Sequence, residues 1–485
     1  MNAFDTQKYI KLQSQKILER TELFPKLYLE FGGKLFDEHH FSRCMPGFVP
    51  DTKIKMLANI RDRVEVIISI LAIDIESGKT RHDVGLSYED YVMFLVDSFK
   101  EVGLRVNSVV VNKFADQPSV LVFKRKLEQL GIIVHLFRKI EGYPSNIDVI
   151  LSDKGYGANP FIKTEAPIVV VTGPGAGSGK MGVCLSQVYN EHKHGNKNAG
   201  YAKFETIPVW NLPLKHPINL AYEASTVNIN DINMIDPYHY EKYGTVAINY
   251  NRDIAAFPLL QTMFRRMYGN DIYHSPTDMG VNMIGFCIDD MEAAERASKD
   301  EVIRRYYETL CYQKQGRVDG EAVRKINVLM EQLELKPTDR DVVTPALKES
   351  ARSGKNAAAI KLHSGEIIVA SASGTLTSAS SELLLKTLQK LLSINSKIKI
   401  LPENVIQKTI ELKKDILGEK KIRLRIGELL VLLASSSLTN ELCLHAVGAL
   451  PQLYGCEAHI TYMINAEEAR IFRKLGINLT QEPII

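Results

Sequence analysis

Residues 166–182 read APIVVVTGPGAGSGKMG, an apolar run followed by a loop with glycine at every second position from 173 to 179. The β-branched run 168–171 is typical of a strand that is buried on both faces. Glycines let backbone amides converge without clashes between Cβ atoms, and Lys180 stands where the next helix is expected to begin. The stretch therefore predicts a strand, a tight loop and a helix, which together form half of a parallel α/β unit.

The same loop predicts a phosphate site, because free amides, a helix N-terminus and an ammonium group all favour an anion. The predicted ligand-binding residues are Gly173, Gly175, Gly177, Ser178, Gly179 and Lys180. The loop differs from a standard P-loop, since Pro174 replaces the first glycine and Met181 replaces the hydroxyl that would reach Mg²⁺. Residues 177–182 also fit a dinucleotide fingerprint, and a glycine-rich turn without a ligand is the third interpretation.

Further strands and helices alternate on both sides of this stretch. Strands are predicted at 64–73, 106–112, 132–137, 147–152 and 166–172, and helices at 87–102, 117–130 and 180–194. Repeated strand–helix–strand units predict an α/β fold with a doubly wound, mostly parallel sheet, whose ligands bind outside the carboxyl ends of the strands. Residues 28–36 are interpreted as a hairpin that turns at Gly32 and Gly33.

The second half of the chain predicts two more parts. Helical periodicity at 289–312 and 320–335 predicts a helical subdomain over 280–350. A hairpin that turns at Ser364 and Gly365, followed by several helices and a strand, predicts a C-terminal α/β domain over 351–485. The N-terminal domain is placed at 1–279.

Composition narrows the class of protein. The chain has 485 residues, a net charge of +3 and six cysteines without metal-binding spacing. A near-neutral charge argues against a nucleic-acid partner, and no apolar run is long enough for a membrane span. We therefore expect a cytoplasmic protein with reduced thiols and a phosphorylated small molecule as its partner, and a homo-oligomer stays open.

Region 199–285 lacks a clear period and is rich in Pro, Asn, His and aromatic residues. It is interpreted as irregular functional loops. Arg252 offers a planar fork of donors for a phosphate or carboxylate, and either His216 or His239 suits general acid–base chemistry near neutral pH. The predicted catalytic residues are Lys203, Glu205, His216, Glu223, Arg252 and Asp253. The alternative is a polar binding surface without chemistry.

Two aspartates follow predicted strands. Asp153 comes after 147–152 and Asp74 after 64–73, and either is placed to hold a metal opposite the glycine-rich loop. We assign the metal to Asp153. The alternative is that such aspartates cap turns and helices.

Several long segments resemble the bacterial family catalogued as domain of unknown function 1846. They are FGGKLFDEHHFSR, GYGANPFI, GPGAGSGKMGVCLSQVY, AGYAKFETIPVWNLPLKHPINLAYEAST, NYNRDIAAFP and SPTDMGVNMIGF. The resemblance runs nearly end to end and implies a multidomain α/β protein of bacterial cytoplasm. It implies no activity and no catalytic residue.

Three functions remain open from the sequence. The first is an enzyme, a transferase such as a kinase, a ligase or a phosphohydrolase, that uses ATP, another nucleotide or a phosphorylated metabolite, with Mg²⁺. The second is a dinucleotide-dependent oxidoreductase, in which Glu205 would meet the ribose about 20 residues after the loop. The third is a sensor that binds a phosphorylated metabolite without turnover, which the missing hydroxyl after Lys180 favours slightly.

Overall fold

The computed structural model describes residues 2–36, 38–81, 84–205, 208–374 and 376–484. The chain divides into two compact units, Met1–Lys299 and Asp300–Ile485. The predicted fold class is confirmed: a parallel sheet flanked by helices forms the first unit, and a separate mixed sheet lies in the second. The three-part division at 279 and 350 stays a prediction.

The first unit is organised by a seven-stranded parallel sheet in the order β11-β8-β1-β7-β2-β5-β6. β1 and β7 are buried at every residue, as expected for central parallel strands that are covered on both faces. The strands of this unit are β1 (Lys26–Phe31), β2 (Val64–Leu71), β3 (Thr80–Arg81), β4 (Leu86–Ser87), β5 (Arg105–Phe114), β6 (Ile133–Arg138), β7 (Ile168–Thr172), β8 (Ala199–Phe204), β9 (Asn233–Ile235), β10 (Ile248–Tyr250) and β11 (Gly280–Val281).

Helices connect and cover these strands, and α8 packs against β1, β7 and β8. The helices are α1 (Thr6–Leu23), α2 (His39–Cys44), α3 (Thr52–Asn59), α4 (Ala72–Glu76), α5 (Tyr88–Glu101), α6 (Pro118–Gln129), α7 (Ile147–Ile150), α8 (Lys180–Lys193), α9 (Pro217–Ser225), α10 (Pro237–Tyr243), α11 (Asn251–Tyr268), α12 (Pro276–Met279) and α13 (Met291–Lys314), which crosses the division between the units.

The order of the strands places a topological switch beside the glycine-rich loop. From β2 the chain continues outward to β5 and β6, whereas from β7 it continues through α8 to β8 on the other side of β1. The connections that leave β2 and β7 therefore run in opposite directions, which opens a crevice at the carboxyl ends of this pair. The loop at 173–179 follows β7 directly and lies at this crevice.

Two local predictions were wrong. Residues 28–36 do not form a hairpin: β1 is a central strand with parallel neighbours on both sides that ends at Phe31, and Gly33 in the turn after it has a φ of 69°. Residues 147–152 are not a strand either. The short helix α7 begins there, because the Asn146 side chain accepts a hydrogen bond from the Val149 amide at 3.1 Å.

Region 199–285 is more regular than its composition suggested. It contains the inner strand β8 and the 18-residue helix α11. The two-stranded sheet of β9 and β10 brings the chain from α9 to the start of α11. The polar residues of this region are therefore held by strand and helix ends, not by long loops.

The second unit contains a four-stranded mixed sheet in the order β13-β12-β14-β15. The predicted hairpin at 364–365 is confirmed, since β12 and β13 pair antiparallel around it. An apolar core joins the sheet to its helices. The elements are α14 (Gly320–Gln332), α15 (Val343–Ser353), β12 (Ala357–Lys361), β13 (Ile367–Ser371), α16 (Ala379–Leu391), α17 (Glu403–Glu411), α18 (Ile426–Ser436), α19 (Glu441–Ala449), β14 (Glu457–Ile460), α20 (Ala466–Lys474) and β15 (Asn478–Gln481).

Candidate functional site

Two side chains on neighbouring strands hold the glycine-rich loop in place by hydrogen bonds. Ser69 on β2 donates its hydroxyl to the Ser178 carbonyl at 2.7 Å. Asn112 on β5 donates to the same carbonyl at 3.1 Å and to the Ser69 hydroxyl at 2.8 Å. These bonds turn the carbonyl of Ser178 into the protein, which fixes the conformation of the loop.

Two of the glycines are required by this geometry. A Cβ at Gly173 would lie 2.3 Å from the Ser69 carbonyl oxygen, closer than any side chain can approach. Gly179 has a φ of 90°, and a Cβ there would lie 2.7 Å from the Asn112 amide nitrogen. The glycines thus let the loop lie directly on the ends of β2 and β5.

The amides of this loop are available to a ligand. Helix α8 begins at Lys180 without a side-chain cap. Among the described residues, no protein group accepts a hydrogen bond from the backbone amides of residues 175–180. Amides left open at the start of a 14-residue helix bind anions well, because the partial positive charge of the helix lies there.

Lys180 lies across the loop. Its Nζ donates to the Gly175 carbonyl at 3.3 Å, a long bond that an anion could replace. Burial lowers the pKa of Lys180, and Lys203 lowers it further, whereas Glu30 and Glu205 oppose the shift. The ammonium group therefore lies between the loop and charged side chains at the carboxyl ends of β1 and β8.

Lys203 and Glu205 at the end of β8 form a compact acid–base group with Tyr250 of β10 and Asp253 of α11, here called the Lys203 cluster. Lys203 Nζ lies 3.0 Å from Glu205 Oε1 and also donates to Asp253 and to the Tyr250 hydroxyl. The Tyr250 hydroxyl donates in turn to Glu205. Two carboxylates thus share one ammonium group.

The pKa values of Lys203 and Glu205 are both shifted, by burial and by the charges of the cluster. Burial alone would lower the pKa of Lys203, but Asp253 and Glu205 outweigh it and raise that pKa. Burial raises the pKa of Glu205 to about 7, with Asp253 adding to the rise and Lys203 opposing it. A carboxyl group whose pKa is raised in this way suits general acid–base chemistry.

Strand β1, which lies between β7 and β8, also places residues at the candidate site. Glu30 on β1 accepts a hydrogen bond from the Tyr201 hydroxyl at 2.7 Å. A Cβ at Gly32 would lie 3.0 Å from Glu205 Cγ and Oε1, so the turn after β1 packs directly against Glu205. The three neighbouring strands β7, β1 and β8 thus each place functional groups at the same edge of the sheet.

Arg252 lies next to the Lys203 cluster but has a separate partner. Its guanidinium pairs with Asp231, with one bond of 2.7 Å, and its side chain is 52% exposed. The Arg252 Cζ lies 5.8 Å from the centre of the Tyr250 ring. Arg252 is therefore a half-exposed cation at the rim of the site.

The comparisons with known proteins cover nearly the whole chain. The model described as domain of unknown function DUF1846, N-terminal, matches residues 2–334, and its C-terminal counterpart matches residues 338–485. The chain belongs to the DUF1846 family. The UPF0371 protein of Clostridium botulinum strain Langeland is 45% identical over 489 residues, covering 99% of this chain and 97% of the relative. The UPF0371 proteins of Clostridium tetani strain Massachusetts and Streptococcus pneumoniae strain Hungary19A-6 are also 45% identical, over 489 and 482 residues, with the same coverage.

Neither the family description nor the names of these relatives state an activity, so the function of this DUF1846 protein must be argued from geometry. Among the described residues, no helix is both long and apolar enough to cross a bilayer. All six cysteines are buried thiols.

The predicted catalytic residues divide into two groups. Lys203, Glu205 and Asp253 meet in one cluster with Arg252 at its rim. His216 lies elsewhere: it caps α9, accepting a hydrogen bond from the Ile218 amide at 3.3 Å, and it pairs with Glu295 at 3.2 Å.

Glu223 is also separate from the cluster. Its Oε1 accepts a hydrogen bond from the Asn233 amide at 2.9 Å, which joins α9 to β9. The contacts of His216 and Glu223 are structural, and we do not include either residue in the proposed chemistry.

The two aspartates proposed as metal ligands are not equivalent. Asp153 pairs with Lys193, the last residue of α8, which lies about 20 Å along that helix from Lys180. Asp74 lies in α4, just after β2, and accepts a bond from Lys79 at 3.0 Å. Among the described residues, no group of three His, Cys, Asp or Glu side chains is arranged to hold a metal ion.

Several members of the site were not predicted. Glu30 lay inside the supposed hairpin, Tyr250 in the supposed irregular region, and Ser69 and Asn112 inside apolar strands. Polar residues within otherwise apolar strands were the available signal, because a buried polar side chain needs a partner.

Proposed function

We propose that this DUF1846 protein binds a phosphorylated small molecule, with the phosphate on loop 173–180 and the rest of the ligand facing the Lys203 cluster. The observation that carries the proposal is the shared edge of the sheet. Open backbone amides, Lys180 and the Glu205 carboxyl group, whose pKa is raised, all stand at the carboxyl ends of β7, β1 and β8. Ligands of open parallel sheets bind at such edges.

The chemistry that fits is phosphoryl transfer or hydrolysis. The loop amides and Lys180 would stabilise negative charge on the phosphate oxygens in the transition state. Glu205 would accept a proton from the attacking hydroxyl or water, and Tyr250 would hold its carboxylate by the hydrogen bond between them. ATP or another nucleotide with Mg²⁺ is one ligand of this class, and the metal would take its ligands largely from the phosphates and water.

The dinucleotide-dependent alternative fits the geometry less well. Glu205 does follow a strand, as an acidic residue that meets a ribose should, but β1 separates β8 from β7. The two strands are therefore about 10 Å apart, whereas the fingerprint joins adjacent strands. A Cβ at Gly182 would meet nothing within 4 Å, so the third glycine of the fingerprint serves no close packing.

The test is a screen of phosphorylated ligands against the full chain. Thermal shift with nucleotides, sugar phosphates and pyrophosphate, each with and without Mg²⁺, should identify a stabilising ligand. Calorimetry should then show that Lys180→Ala weakens its binding by about 1.5–3 kcal/mol, the range for a charge-assisted hydrogen bond. The matched control is Lys197→Ala, because Lys197 is exposed just before β8, at the opposite edge of the sheet.

The outcomes separate the alternatives. Equal losses in both variants, or none in Lys180→Ala, would contradict the assignment of the loop. Turnover of the ligand supports the enzyme. Tight binding that depends on Lys180 but gives no turnover supports the sensor in its place.

A further inference from the structure

Tyr88 begins α5 and contacts the glycine-rich loop. A Cβ at Gly175 would lie 2.4 Å from the Tyr88 hydroxyl oxygen, so the hydroxyl lies directly against the loop backbone at that glycine. Tyr88 is only 8% exposed, and among the described residues no group accepts a hydrogen bond from its hydroxyl. Because a buried hydroxyl normally has an acceptor, this one indicates that a ligand on the loop supplies it.

Two side-chain donors therefore meet at Gly175. Lys180 Nζ donates to the Gly175 carbonyl at 3.3 Å, and the Tyr88 hydroxyl lies against the Cα of the same residue. The backbone amides of residues 175–180 have no protein acceptor among the described residues. A phosphate on the loop would thus receive amides, an ammonium group and a phenol hydroxyl.

Lys79 lies next to Tyr88 and adds a second positive charge on this side of the loop. Its Nζ lies 4.7 Å from the centre of the Tyr88 ring and 3.0 Å from Asp74 Oδ1. Its backbone is also held, because the Lys79 amide donates to the Asp74 carbonyl at 3.0 Å and the Tyr88 amide donates to the Lys79 carbonyl at 2.8 Å. The ammonium group therefore has a fixed position beside the ring whose hydroxyl touches the loop.

The ion pair with Asp74 leaves Lys79 able to bind a ligand. The Asp74 side chain is 7% exposed and that of Lys79 is 44% exposed, so the carboxylate is covered while the ammonium group reaches solvent. An ammonium group has three N–H donors, and the bond to Asp74 uses one of them. Asp74 thus orients Lys79 from the protein side, and an anion has access from the solvent side.

We propose that the ligand of loop 173–180 carries two adjacent phosphates, and that Lys79 binds the second of them. The first phosphate lies on the loop, where it accepts hydrogen bonds from Lys180 and the Tyr88 hydroxyl. Since Lys79 is held against the ring of Tyr88, the two anionic groups must be close neighbours, as in a diphosphate. This inference rests on the proposed function, because it requires a phosphate on the loop.

The position of Lys79 is compatible with the chemistry proposed for the Lys203 cluster. In the sheet, β8 lies two strands from β7 on one side, and β5, against which α5 packs, lies two strands from β7 on the other. The second phosphate would therefore lie on the side of the loop that faces away from the Lys203 cluster. The phosphate on the loop stays open to that cluster.

The test compares two phosphonates that differ by one anionic group. Methylphosphonate has a single phosphonate, and methylenediphosphonate has two that are joined by a carbon bridge, which is not hydrolysed. Calorimetry on the full chain without Mg²⁺ should show that the diphosphonate binds at least about tenfold more tightly, since it gains a charge-assisted contact with Lys79.

The decisive variant removes the Lys79 ammonium group without changing the net charge. Lys79→Met combined with Asp74→Asn removes one charge of each sign, so long-range effects on the two probes largely cancel. The affinity for the diphosphonate should fall about tenfold, and that for methylphosphonate should change by less than about twofold. The matched control is Lys124→Met with Glu128→Gln, which removes an ion pair near the end of α6, before the amino end of β6, and should change neither affinity.

Tyr88→Phe tests the hydroxyl separately. The variant keeps the aromatic ring beside Lys79 and removes only the donor to the first phosphate. Both probes should therefore bind about threefold to tenfold more weakly, the range for one neutral hydrogen bond. Unchanged affinities would contradict the proposal, because the hydroxyl would then not touch the anion.

The remaining outcomes separate this inference from the proposed function. Equal binding of both probes by the natural protein, or unchanged diphosphonate binding in the variant without Lys79 and Asp74, would overturn the second phosphate position. An equal loss for both probes in that variant would also overturn it, since Lys79 would then act on the loop as a whole. In each of these cases, binding that is weakened by Lys180→Ala leaves the proposed function standing. If neither probe nor pyrophosphate binds, both are wrong.

Discussion

Two groups of ion pairs lie beside the turn after β1 and differ in their ratio of carboxylates to ammonium groups. Beside Gly33, Lys53 Nζ donates to Glu38 Oε2 at 2.9 Å, and the Lys53 side chain is fully buried. Beside Gly32, the Lys203 cluster holds two carboxylates around one ammonium group. The first arrangement is balanced and the second is not.

The balance decides whether a carboxyl group can exchange its proton near neutral pH. Burial would raise the pKa of Glu38, but Lys53, Lys34 and His40 outweigh it and lower that pKa to about 2. Burial raises the pKa of Glu205 to about 7, and Asp253, which shares Lys203 with it, adds to the rise. A balanced pair fixes the fold, whereas an unbalanced cluster offers a proton for chemistry. The same substitution, Glu to Gln, should therefore have opposite effects at the two positions.

The largest effect is expected for Glu38→Gln. The variant leaves the Lys53 ammonium buried without a counter-charge and should lose about 3 kcal/mol of stability at pH 7. The contribution of Glu38 is present above its unfolded pKa of about 4.5 and is lost as the pH falls towards 2. Chemical unfolding of the first unit at pH 7 and at pH 3 measures the difference.

A second variant keeps this test informative. Glu38→Gln with Lys53→Met removes both charges and should recover most of the lost stability, because the uncompensated ammonium group is gone. If the single variant loses less than about 1 kcal/mol, the pair behaves like an exposed one and the comparison fails.

The opposite sign is expected for Glu205→Gln. The folded pKa of about 7 lies above the unfolded value, so the natural protein loses stability as the pH rises from about 4.5 to 7. The variant lacks this loss and should be more stable than the natural protein at pH 8, by on the order of 1–3 kcal/mol, with the gap closing below pH 5. Thermal unfolding across this pH range measures the gap, and a gap of constant size would contradict the raised pKa.

Much of the sheet could be predicted from the sequence, because the strands β2, β5, β6 and β7 each contain a mainly apolar, β-branched run, and helices with an apolar face lie between several of them. β1 was mistaken for half of a hairpin, since two adjacent glycines also favour a tight turn. In the structure their role is to allow close approach, with Glu205 against Gly32 and Lys53 against Gly33. That requirement comes from residues distant in sequence and leaves no local pattern.

The candidate site was predictable only in part. The loop and Lys180 follow from local sequence, because a strand, glycines and a helix start are neighbours in the chain. Lys203 and Asp253 were both predicted to be catalytic residues. Their contact depends on how the end of β8 packs against the start of α11, which the sequence does not reveal. Asp153 was expected to follow a strand, but the run 147–152 contains too few residues to distinguish a strand from the helical turn α7.

The smallest expected effect distinguishes the phosphate loop from a dinucleotide fingerprint. Gly182 lies in the first turn of α8, and a Cβ there would meet no atom within 4 Å. Gly182→Ala should therefore stabilise the protein by about 0.5–1 kcal/mol, since alanine loses less conformational freedom in a helix. Ligand affinity should not change, in contrast to Gly173→Ala, whose Cβ would collide with the Ser69 carbonyl. Thermal unfolding and calorimetry measure both variants. If Gly182→Ala folds but no longer binds the ligand, the backbone at residue 182 must touch it, as the third glycine region of a dinucleotide site would, and the oxidoreductase becomes the better hypothesis.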